Sequence, residues 1–306
     1  MEHIGTLSDE EILARYRRNY GLGDDITLDK VEQHVQLEKA LTARLLNSSP
    51  ETRWTVFSDA YTELYEKLPW LNTNTKNTND VDGSIIRWKY LLPTPLRIFE
   101  IGSGKARLLK YLTSQGHQCV ATEITKERGV KHLPSATGLE WHVTDGVNLR
   151  NFEPESHYDI VISTQVVEHF HPDDLVTHFR NAKDILVDGG RYIFDTPHVS
   201  CGPFDLSRVF ALDKAVFMHL KEYNYLELGA LLKEAGFRSV RAVFAIKISR
   251  GNSKWAIRES LWYYRYCCFW DRLEMTLRLK PRSRRLFRRL LRLALVPSII
   301  WISARK

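Results

Sequence analysis

The chain has 306 residues, of which 43% are hydrophobic and 26% charged, so it is long and apolar enough for one sizeable domain with appended segments, and global disorder is excluded. Its formal net charge of +7 is uneven, because residues 277–306 carry ten basic side chains and no acid, whereas residues 1–276 carry 34 basic and 37 acidic side chains. A main domain with a net charge of −3 argues against broad nucleic-acid binding outside the C-terminal segment.

The N-terminal part of the chain is predicted to be helical. Ser8 is the predicted N-cap of a first helix, because three acids follow it. Apolar residues at helical spacing predict two further helices, at about residues 29–46 and 51–67. The last of these carries an aromatic stripe that either packs on the core or lines a substrate pocket, and packing is the favoured interpretation. The stripe consists of Trp54, Phe57, Tyr61, Leu64 and Tyr65. With the polar, turn-forming residues 72–84, these helices make up an N-terminal unit of residues 1–84.

The start of the chain and its cysteines bear on location. Residues 1–20 are charged and lack an apolar core, so no signal peptide is predicted. The cysteines at 119, 201, 267 and 268 have neither metal-site nor disulfide spacing. Both observations favour a reducing, cytoplasmic location.

From residue 85 onward the pattern alternates between helix and strand. It predicts an α/β domain, residues 85–258, in which a parallel sheet of seven strands has helices on both faces. The predicted helices span 85–92, 105–116, 172–187 and 225–235, and the predicted strands span 97–101, 118–123, 139–143, 158–163, 190–195, 240–248 and 254–258. Ligands of such sheets bind at the carboxyl ends of the strands, an edge predicted to carry Gly102, Glu123, Asp145, Thr164 and Thr196.

The segment 97–104 organises this domain, because an apolar strand containing Glu100 runs directly into Gly102 and Gly104. Gly102 allows a sharp turn off the strand, and Gly104 lets the backbone approach a ligand at the next helix N-terminus. The loop lacks the GxxxxGK(S/T) of a phosphate-binding P-loop, and Arg107 stands where the dinucleotide fingerprint has Gly or Ala. Glu123 ends the second strand, 19 residues after Gly104, where a carboxylate accepts hydrogen bonds from ribose hydroxyls.

Four blocks in this order resemble the class I S-adenosylmethionine-dependent methyltransferases, over about residues 85–245. They are Glu100-Ile-Gly-Ser-Gly104, Glu123, Asp145, and the stretch from Asp159 to His169. Residues 189–198 also resemble the family's fifth strand. The resemblance implies a Rossmann-like fold and S-adenosylmethionine as cofactor, with Glu123 on the ribose and Asp145 near the adenine amino group. The residues implied for cofactor binding are Glu100, Gly102, Ser103, Gly104, Glu123, Ile124, Asp145, Gly146, Thr164 and Gln165.

Candidate catalytic residues follow the fourth and fifth strands. Methyl transfer requires in-line positioning, and it requires a base only if the acceptor is protonated at working pH. His169 and His198 are the candidate bases, with a structural role as the alternative for His169, and Glu168 is a candidate for orienting the acceptor. Two known metal-binding sets resemble residues in this region. That of small-RNA 3′-terminal 2′-O-methyltransferases resembles Gln165, Glu168, His169 and His198. That of ubiquinone-pathway O-methyltransferases resembles the first three of these residues. Because the neutral Gln165 replaces the first glutamate, no metal site is predicted.

The C-terminal segment, residues 259–306, is rich in aromatic and basic side chains. Residues 283–295 predict an amphipathic helix with Arg285, Arg288, Arg289 and Arg292 on one face and Leu286, Leu290, Leu293 and Ala294 on the other. Such a helix either lies in a membrane interface or packs its leucines on the core, and the two interpretations are equally favoured. Its continuation, residues 296–302, is too short and too interrupted to span a membrane.

The predicted function is S-adenosylmethionine-dependent methyl transfer to an oxygen of a small-molecule or lipid-like acceptor. The enzyme is expected in the cytoplasm, with residues 277–306 as a candidate contact to a membrane surface, and nucleic acid is not an expected partner. Residues 196–224, a long insertion at the ligand edge, are the predicted acceptor site.

One alternative function is that of a magnesium-dependent RNA 3′-terminal 2′-O-methyltransferase. Others are a non-catalytic binding or assembly protein that retains the fold and, more distantly, an NAD(P) dehydrogenase. The intact Glu100, Gly102, Gly104 and Glu123 argue against a non-catalytic protein.

Overall fold

The computed structural model describes residues 7–71, 83–92, 95–125, 138–247, 255–277, 283, 287, 290, 291 and 293–306.

Three helices form the N-terminal part of the protein. The helices are α1 (Asp9–Tyr20), α2 (Leu28–Leu46) and α3 (Arg53–Lys67). The N-cap predicted at Ser8 is confirmed: its Oγ accepts a hydrogen bond from the Glu11 backbone N–H at 3.3 Å, and Glu11 Oε2 accepts one from the Ser8 N–H at 3.0 Å. These two bonds satisfy donors that a helix N-terminus otherwise leaves unpaired.

The rest of the chain builds one sheet with helices on both faces, which confirms the predicted α/β class. The helices are α4 (Gly83–Ile86), α5 (Arg107–Ser114), α6 (Leu175–Ile185), α7 (Tyr225–Glu234) and α8 (Leu261–Leu277). The strands are β1 (Arg97–Ile101), β2 (Gln118–Glu123), β3 (Leu139–Val143), β4 (Tyr158–Thr164), β5 (Leu186–Pro197), β6 (Ser239–Lys247), β7 (Trp255–Ser260) and β8 (Ile299–Arg305). The helix predicted to begin at residue 105 begins at Arg107, because Ala106 adopts a left-handed conformation with φ of 49°.

The sheet order is β3-β2-β1-β4-β5-β8-β6-β7, and strands β1 to β5 are mutually parallel. The chain adds β2 and β3 on one side of β1 and then adds β4 and β5 on the other. Strand order therefore reverses between β1 and β4, which creates a crevice at their carboxyl ends where ligands of such sheets bind.

The eighth strand corrects the prediction of seven. Residues 299–305, expected to lie in a helical tail, form β8, which runs antiparallel to both of its neighbours, β5 and β6. Ile300, Trp301, Ile302 and Ala304 are buried there. The segment 259–306 is thus no separate appendage, since its last residues complete the sheet of the domain predicted to end at 258.

Alternating residues of the strands contribute to two hydrophobic cores, one on each face of the sheet. Phe99, Val161 and Phe194 point to the face covered by α6, α7 and α8, while Ile98, Ile160 and Ile193 point to the face covered by α5 and residues 85–92. The sheet is therefore buried on both sides, as is usual for parallel strands.

The long insertion between β5 and α7 packs against the N-terminal helices. Leu206, Phe210 and Phe217 of the insertion share a core with Tyr16 of α1 and Val31 of α2. Met218 packs with α2 and α3 in a second core. These contacts hold the N-terminal helices over the carboxyl edge of the sheet.

The predicted amphipathic helix at 283–295 is helical at residues 283, 287, 290, 291 and 293 and ends in a turn at 294–295, but its buried side differs from the prediction. Phe287 and Leu291 are buried, whereas Leu290 and Leu293 are exposed. Leu286, Arg285, Arg288, Arg289 and Arg292 lie outside the described residues. Among the described helices, none combines the length and the apolar character that crossing a membrane would need.

Candidate functional site

The glycine loop after β1 is held in place by β2. Ser103 N–H donates to the Thr122 carbonyl at 2.8 Å, and Ser103 Oγ accepts from Thr122 N–H at 3.0 Å. Gly102 has a φ of 66°, and a Cβ placed on it would lie 2.6 Å from Val166 Cγ2. Both the conformation and the close approach of the β4 loop therefore require glycine here.

Glu123 connects the end of β2 to this loop. Its Oε1 accepts a hydrogen bond from the Gly104 N–H at 2.7 Å, and the residue is 9% exposed. The carboxylate thus fixes the loop while remaining in the wall of a cavity. This dual role was not evident from the sequence, which indicated only a ligand contact.

That cavity, the edge cavity, has a volume of about 280 Å³ and lies at the carboxyl ends of β1, β2 and β4. It brings together seven of the residues predicted to bind the cofactor: Gly102, Glu123, Ile124, Asp145, Gly146, Thr164 and Gln165. Its opposite wall is formed by Glu38 of α2 and by Phe57, Tyr61, Leu64 and Tyr65 of α3, together with Met218. The aromatic stripe of α3 therefore lines a pocket as well as packing on neighbouring residues.

Asp145 lies between the edge cavity and an adjoining cavity of about 630 Å³. Its Oδ1 accepts from the backbone N–H groups of Val147 and Asn148, at 2.8 and 2.6 Å, and its Oδ2 accepts from Asn148 Nδ2 at 2.7 Å. The carboxylate thereby holds the turn after β3. In the adjoining cavity, Trp54 and Phe152 stack with ring centroids 5.6 Å apart.

Glu100 and Ser103 line a polar cleft of about 460 Å³ on the other side of the loop, which shares Thr164 and Gln165 with the edge cavity. Asp195 at the end of β5 also lines it and accepts from Gln165 Nε2 at 2.8 Å and from Arg87 Nη2 at 3.3 Å. Burial raises the pKa of Glu100 to about 8, and the nearby carboxylates of Glu123 and Asp195 add to the shift. Arg87 neutralises Asp195, and Lys105 and Arg107 also line the cleft.

A sulfonium cofactor fits these residues. Glu100 is 2% exposed, and no described residue hydrogen-bonds to its Oε2. A buried carboxyl oxygen without a partner is costly, and the positive charges of S-adenosylmethionine would compensate it. Glu123 would offer this cofactor the acceptor for ribose hydroxyls that the resemblance implies, and it lines the edge cavity together with Gly102.

Glu168 and His169, which follow β4, form a cluster with His219 of the insertion. One potential ligand atom from each of the three residues lies within 4.8 Å of the others. His169 Nδ1 donates to the Met218 carbonyl at 2.8 Å, and His219 Nδ1 donates to the Glu222 carboxylate at 2.9 Å. These acceptors fix the tautomers of the neutral rings, so that each Nε2 carries the lone pair.

The electrostatics of the cluster follow from its burial. Glu168 is fully buried, and desolvation raises its pKa to about 7. Its Oε2 accepts from Thr196 Oγ1 at 2.8 Å, while Oε1 has no hydrogen-bond partner among the described residues. Burial by itself lowers the pKa of His219, but the bond to Glu222 and the nearby Glu168 and Asp205 outweigh it, so the net pKa is raised.

His198, the other predicted base, is not part of this cluster. It is fully buried, its Nδ1 accepts from the Ser200 N–H at 3.1 Å, and its Nε2 donates to Asp271 of α8 at 3.0 Å. Asp271 in turn accepts from the Tyr225 N–H at 2.8 Å. The ring therefore joins the end of β5 to α7 and α8, and the second imidazole beside Glu168 and His169 is that of His219.

Two residues of the site gave no signal in the sequence. Glu38 looks like an ordinary acid of a helix surface, yet its Oε2 is buried without a partner among the described residues and it lines the edge cavity. Its Oε1 lies 2.7 Å from His34 Nε2, and His34 Nδ1 lies 2.8 Å from Tyr16 Oη. His219 lies in an insertion without any recognisable motif, so only the fold of that insertion reveals its position.

Comparisons with known proteins agree with this geometry. A model of the methyltransferase domain family matches residues 79–242, more than half of the chain. A comparison with curated protein sequences gave no match. Similar solved structures include S-adenosylmethionine-dependent methyltransferases of Archaeoglobus fulgidus (16% identity, TM-score 0.51, 80% of this chain and 99% of that chain) and Mesorhizobium loti (17%, 0.47, 74% and 98%). Another is a possible histamine N-methyltransferase of Thermotoga maritima (16%, 0.48, 83% and 99%).

At such identities the structural likeness shows the fold alone, and the family assignment comes from the family model. The matched range contains the glycine loop, Glu123, Asp145 and the Glu168–His169 pair. The chain therefore belongs to the methyltransferase domain family and is a class I S-adenosylmethionine-dependent methyltransferase.

Proposed function

We propose that this enzyme methylates an oxygen atom of a small-molecule or lipid-like acceptor, with His169 as the base that receives the acceptor's proton. The observation that carries the proposal is the position of His169 in the wall of the edge cavity, beside the residues of the cofactor motif. S-adenosylmethionine supplies a methyl carbon bound to positively charged sulfur. A hydroxyl acceptor is protonated near neutral pH, so its reaction benefits from a base, which an already deprotonated acceptor such as a carboxylate does not need.

The tautomer of His169 supports this role. Because Nδ1 donates to the Met218 carbonyl, the lone pair of the neutral ring is on Nε2. The edge of the ring packs against Tyr61 and His219, with centroid distances of 6.2 and 4.9 Å, so its orientation is fixed. A fixed and correctly protonated imidazole can accept a proton without first reorganising.

The walls of the edge cavity favour a partly apolar acceptor. Phe57, Leu64 and Met218 offer apolar contacts, whereas Glu38 Oε2 is a buried oxygen that would accept a hydrogen bond from a hydroxyl group. The exposed apolar side chains of the C-terminal segment support the proposal that the enzyme acts at a membrane surface, where a lipid-like acceptor would be found.

The variant His169→Ala tests the proposal. We expect turnover to fall about 100- to 10,000-fold while the affinity for S-adenosylhomocysteine stays within about 3-fold, because a general base acts on the acceptor and not on the cofactor. Turnover is measured by transfer from methyl-labelled S-adenosylmethionine to a panel of phenols, alcohols, amines and thiols. Calorimetry gives the affinity.

His157→Ala is the matched control, since His157 lies before β4 at the opposite edge of the sheet. Equal losses of turnover and cofactor affinity in His169→Ala would mean that the histidine is structural. Methylation of amines alone would contradict an oxygen acceptor.

A second candidate is metal-assisted methylation, which the Glu168, His169 and His219 cluster favours. A buried carboxylate oxygen without a described partner, beside two imidazoles with fixed tautomers, is a suitable ligand set. Two nitrogens and one oxygen favour zinc, manganese or iron over magnesium. In this case the cluster would bind a metal that lowers the pKa of the acceptor hydroxyl, and His169 would be a ligand and not a base.

Chelation distinguishes the two candidates. If the cluster binds metal, EDTA should abolish methylation and manganese or zinc should restore it in the wild type but not in His219→Ala. Metal content of the purified protein, measured by mass spectrometry, is the second readout. Unchanged turnover in EDTA would leave His169 as the base, and it would also argue against a metal-dependent RNA 2′-O-methyltransferase.

A further inference from the structure

We propose that the outward side of α8, together with residues 290–295, binds the surface of an anionic membrane. This outer face consists of Trp262, Arg265, Tyr266, Phe269, Arg272, Leu290, Leu293 and Leu295, all of them exposed. The inference concerns a partner of the protein and holds whichever acceptor is methylated.

The first part of the outer face comes from α8, whose two sides differ sharply. Its inner side is fixed in the core of the domain, where Cys267 and Asp271 are buried. On the opposite side, Trp262 is 78% exposed and Phe269 is 58% exposed. Trp262 and Phe269 are two turns apart, so both project from the same exposed side of α8.

The second part comes from the segment that follows α8 in the chain and lies alongside it. Tyr266 Oη donates to the Ala294 carbonyl and Tyr263 Oη donates to the Leu295 carbonyl, each at 2.6 Å. Phe287 and Leu291 pack in a small core with Trp270 and Leu273 of α8. The segment is thus fixed to α8.

With the segment held in this way, its remaining apolar residues turn outward. Leu293 is 81% exposed and Leu295 is 65% exposed. They flank Ala294, whose carbonyl binds Tyr266, so they lie next to the exposed aromatic residues of α8. The exposed apolar side chains of the two elements thus lie side by side, and grouped apolar side chains on a surface mark an interaction site.

The charge around this area is positive. Arg265 and Arg272 are exposed on α8, and the Arg265 guanidinium lies 5.6 Å from the centre of the Trp262 ring. Of the acids in α8, Asp271 is buried against His198 and Glu274 is half-buried. In the sequence, the residues between α8 and β8, 278–298, carry eight basic side chains and no acid. Apolar side chains surrounded by arginine are complementary to an interface of acyl chains and anionic headgroups.

Other occupants match these features less well. Nucleic acid would pair with the arginines but would leave the exposed leucines in water. A second copy of the same face would bury the apolar side chains but would bring basic side chains together. An anionic membrane accommodates both properties at once.

Vesicle flotation of the full-length protein tests the inference. Wild type should float with phosphatidylcholine vesicles that contain phosphatidylglycerol, and much less with phosphatidylcholine alone. The triple variant Trp262→Ser/Phe269→Ser/Leu293→Ser should lose at least about 10-fold in binding, because each substitution removes apolar area from the interface. The double variant Arg265→Gln/Arg272→Gln should weaken binding mainly to the anionic vesicles.

The double variant Leu46→Ser/Val216→Ser is the matched control, since these exposed apolar residues lie elsewhere. Thermal unfolding and S-adenosylhomocysteine affinity should be unchanged in all variants, which separates loss of membrane binding from loss of the fold or of the active site. Flotation of the triple variant at the wild-type level overturns the inference, as does the absence of wild-type binding to either vesicle. Concentration-dependent dimers that the triple variant abolishes, without vesicle binding, would identify a second copy as the occupant.

Discussion

A chain that ends at Ser298 should fail to fold, although it retains every residue of the cofactor motif. The deletion removes β8, which pairs with seven residues of β5 and four of β6. Without it the sheet divides into two parts with exposed edges, and the buried side chains of Ile300, Trp301 and Ile302 are lost. Burial of each such side chain contributes about 1.5–3 kcal/mol, so their sum is comparable to a typical net stability of about 5–15 kcal/mol. Soluble yield and circular dichroism of the truncated protein measure the effect.

Single substitutions test how much β8 contributes to stability in a protein that still folds. Ile302→Ala should lower the free energy of unfolding by about 2–5 kcal/mol, since Ile302 is fully buried. Leu293→Ala, in the same part of the chain but exposed, should change it by less than about 0.5 kcal/mol. Equal unfolding midpoints for the two variants would mean that β8 does not support the sheet. Deletion of residues 277–306 would also remove β8, so membrane binding has to be tested by surface substitutions.

Glu123→Ala should weaken the binding of S-adenosylhomocysteine by about 5- to 150-fold, or about 1–3 kcal/mol. The substitution removes the acceptor for ribose hydroxyls that the family resemblance assigns to Glu123. It also removes the 2.7 Å hydrogen bond that fixes Gly104. Isothermal titration of the purified protein measures the change.

Two further variants separate these contributions. Glu123→Gln keeps an oxygen that can accept from Gly104 but removes the charge, so its affinity should lie between those of wild type and Glu123→Ala. Glu140→Ala, an exposed acid on the adjacent strand β3, should bind as wild type does. Wild-type affinity in Glu123→Ala would refute the assignment of this residue to the cofactor site.

Much of the cofactor side of the site could be predicted from local sequence. Gly102, Glu123 and Asp145 each follow or end a strand whose apolar pattern is clear, and parallel strands bring their carboxyl ends to one edge. Their positions in the edge cavity follow from this rule. The N-cap at Ser8 was equally predictable, because a capping box involves only residues three apart.

The acceptor side could not be predicted in this way. His219 and Glu38 come from segments about 50 and 130 residues away from Glu168 along the chain, and neither lies in a motif. His198 looked like a site residue because it follows β5, yet its ring turns to Asp271 of α8, a partner 73 residues away. Local patterns specify where a strand ends but not which distant segment covers that end.

The sequence by itself determined the α/β class, the glycine loop and the acids that follow the strands, because these depend on periodicity and on glycine at fixed positions. Only the tertiary structure decided that residues 299–305 are a strand inside the sheet, since a short apolar run is compatible with helix or strand until it finds a partner. It likewise decided which leucines of the C-terminal segment are exposed, because Phe287 and Leu291 compete with them for contact with α8 and only one side of the segment can be buried.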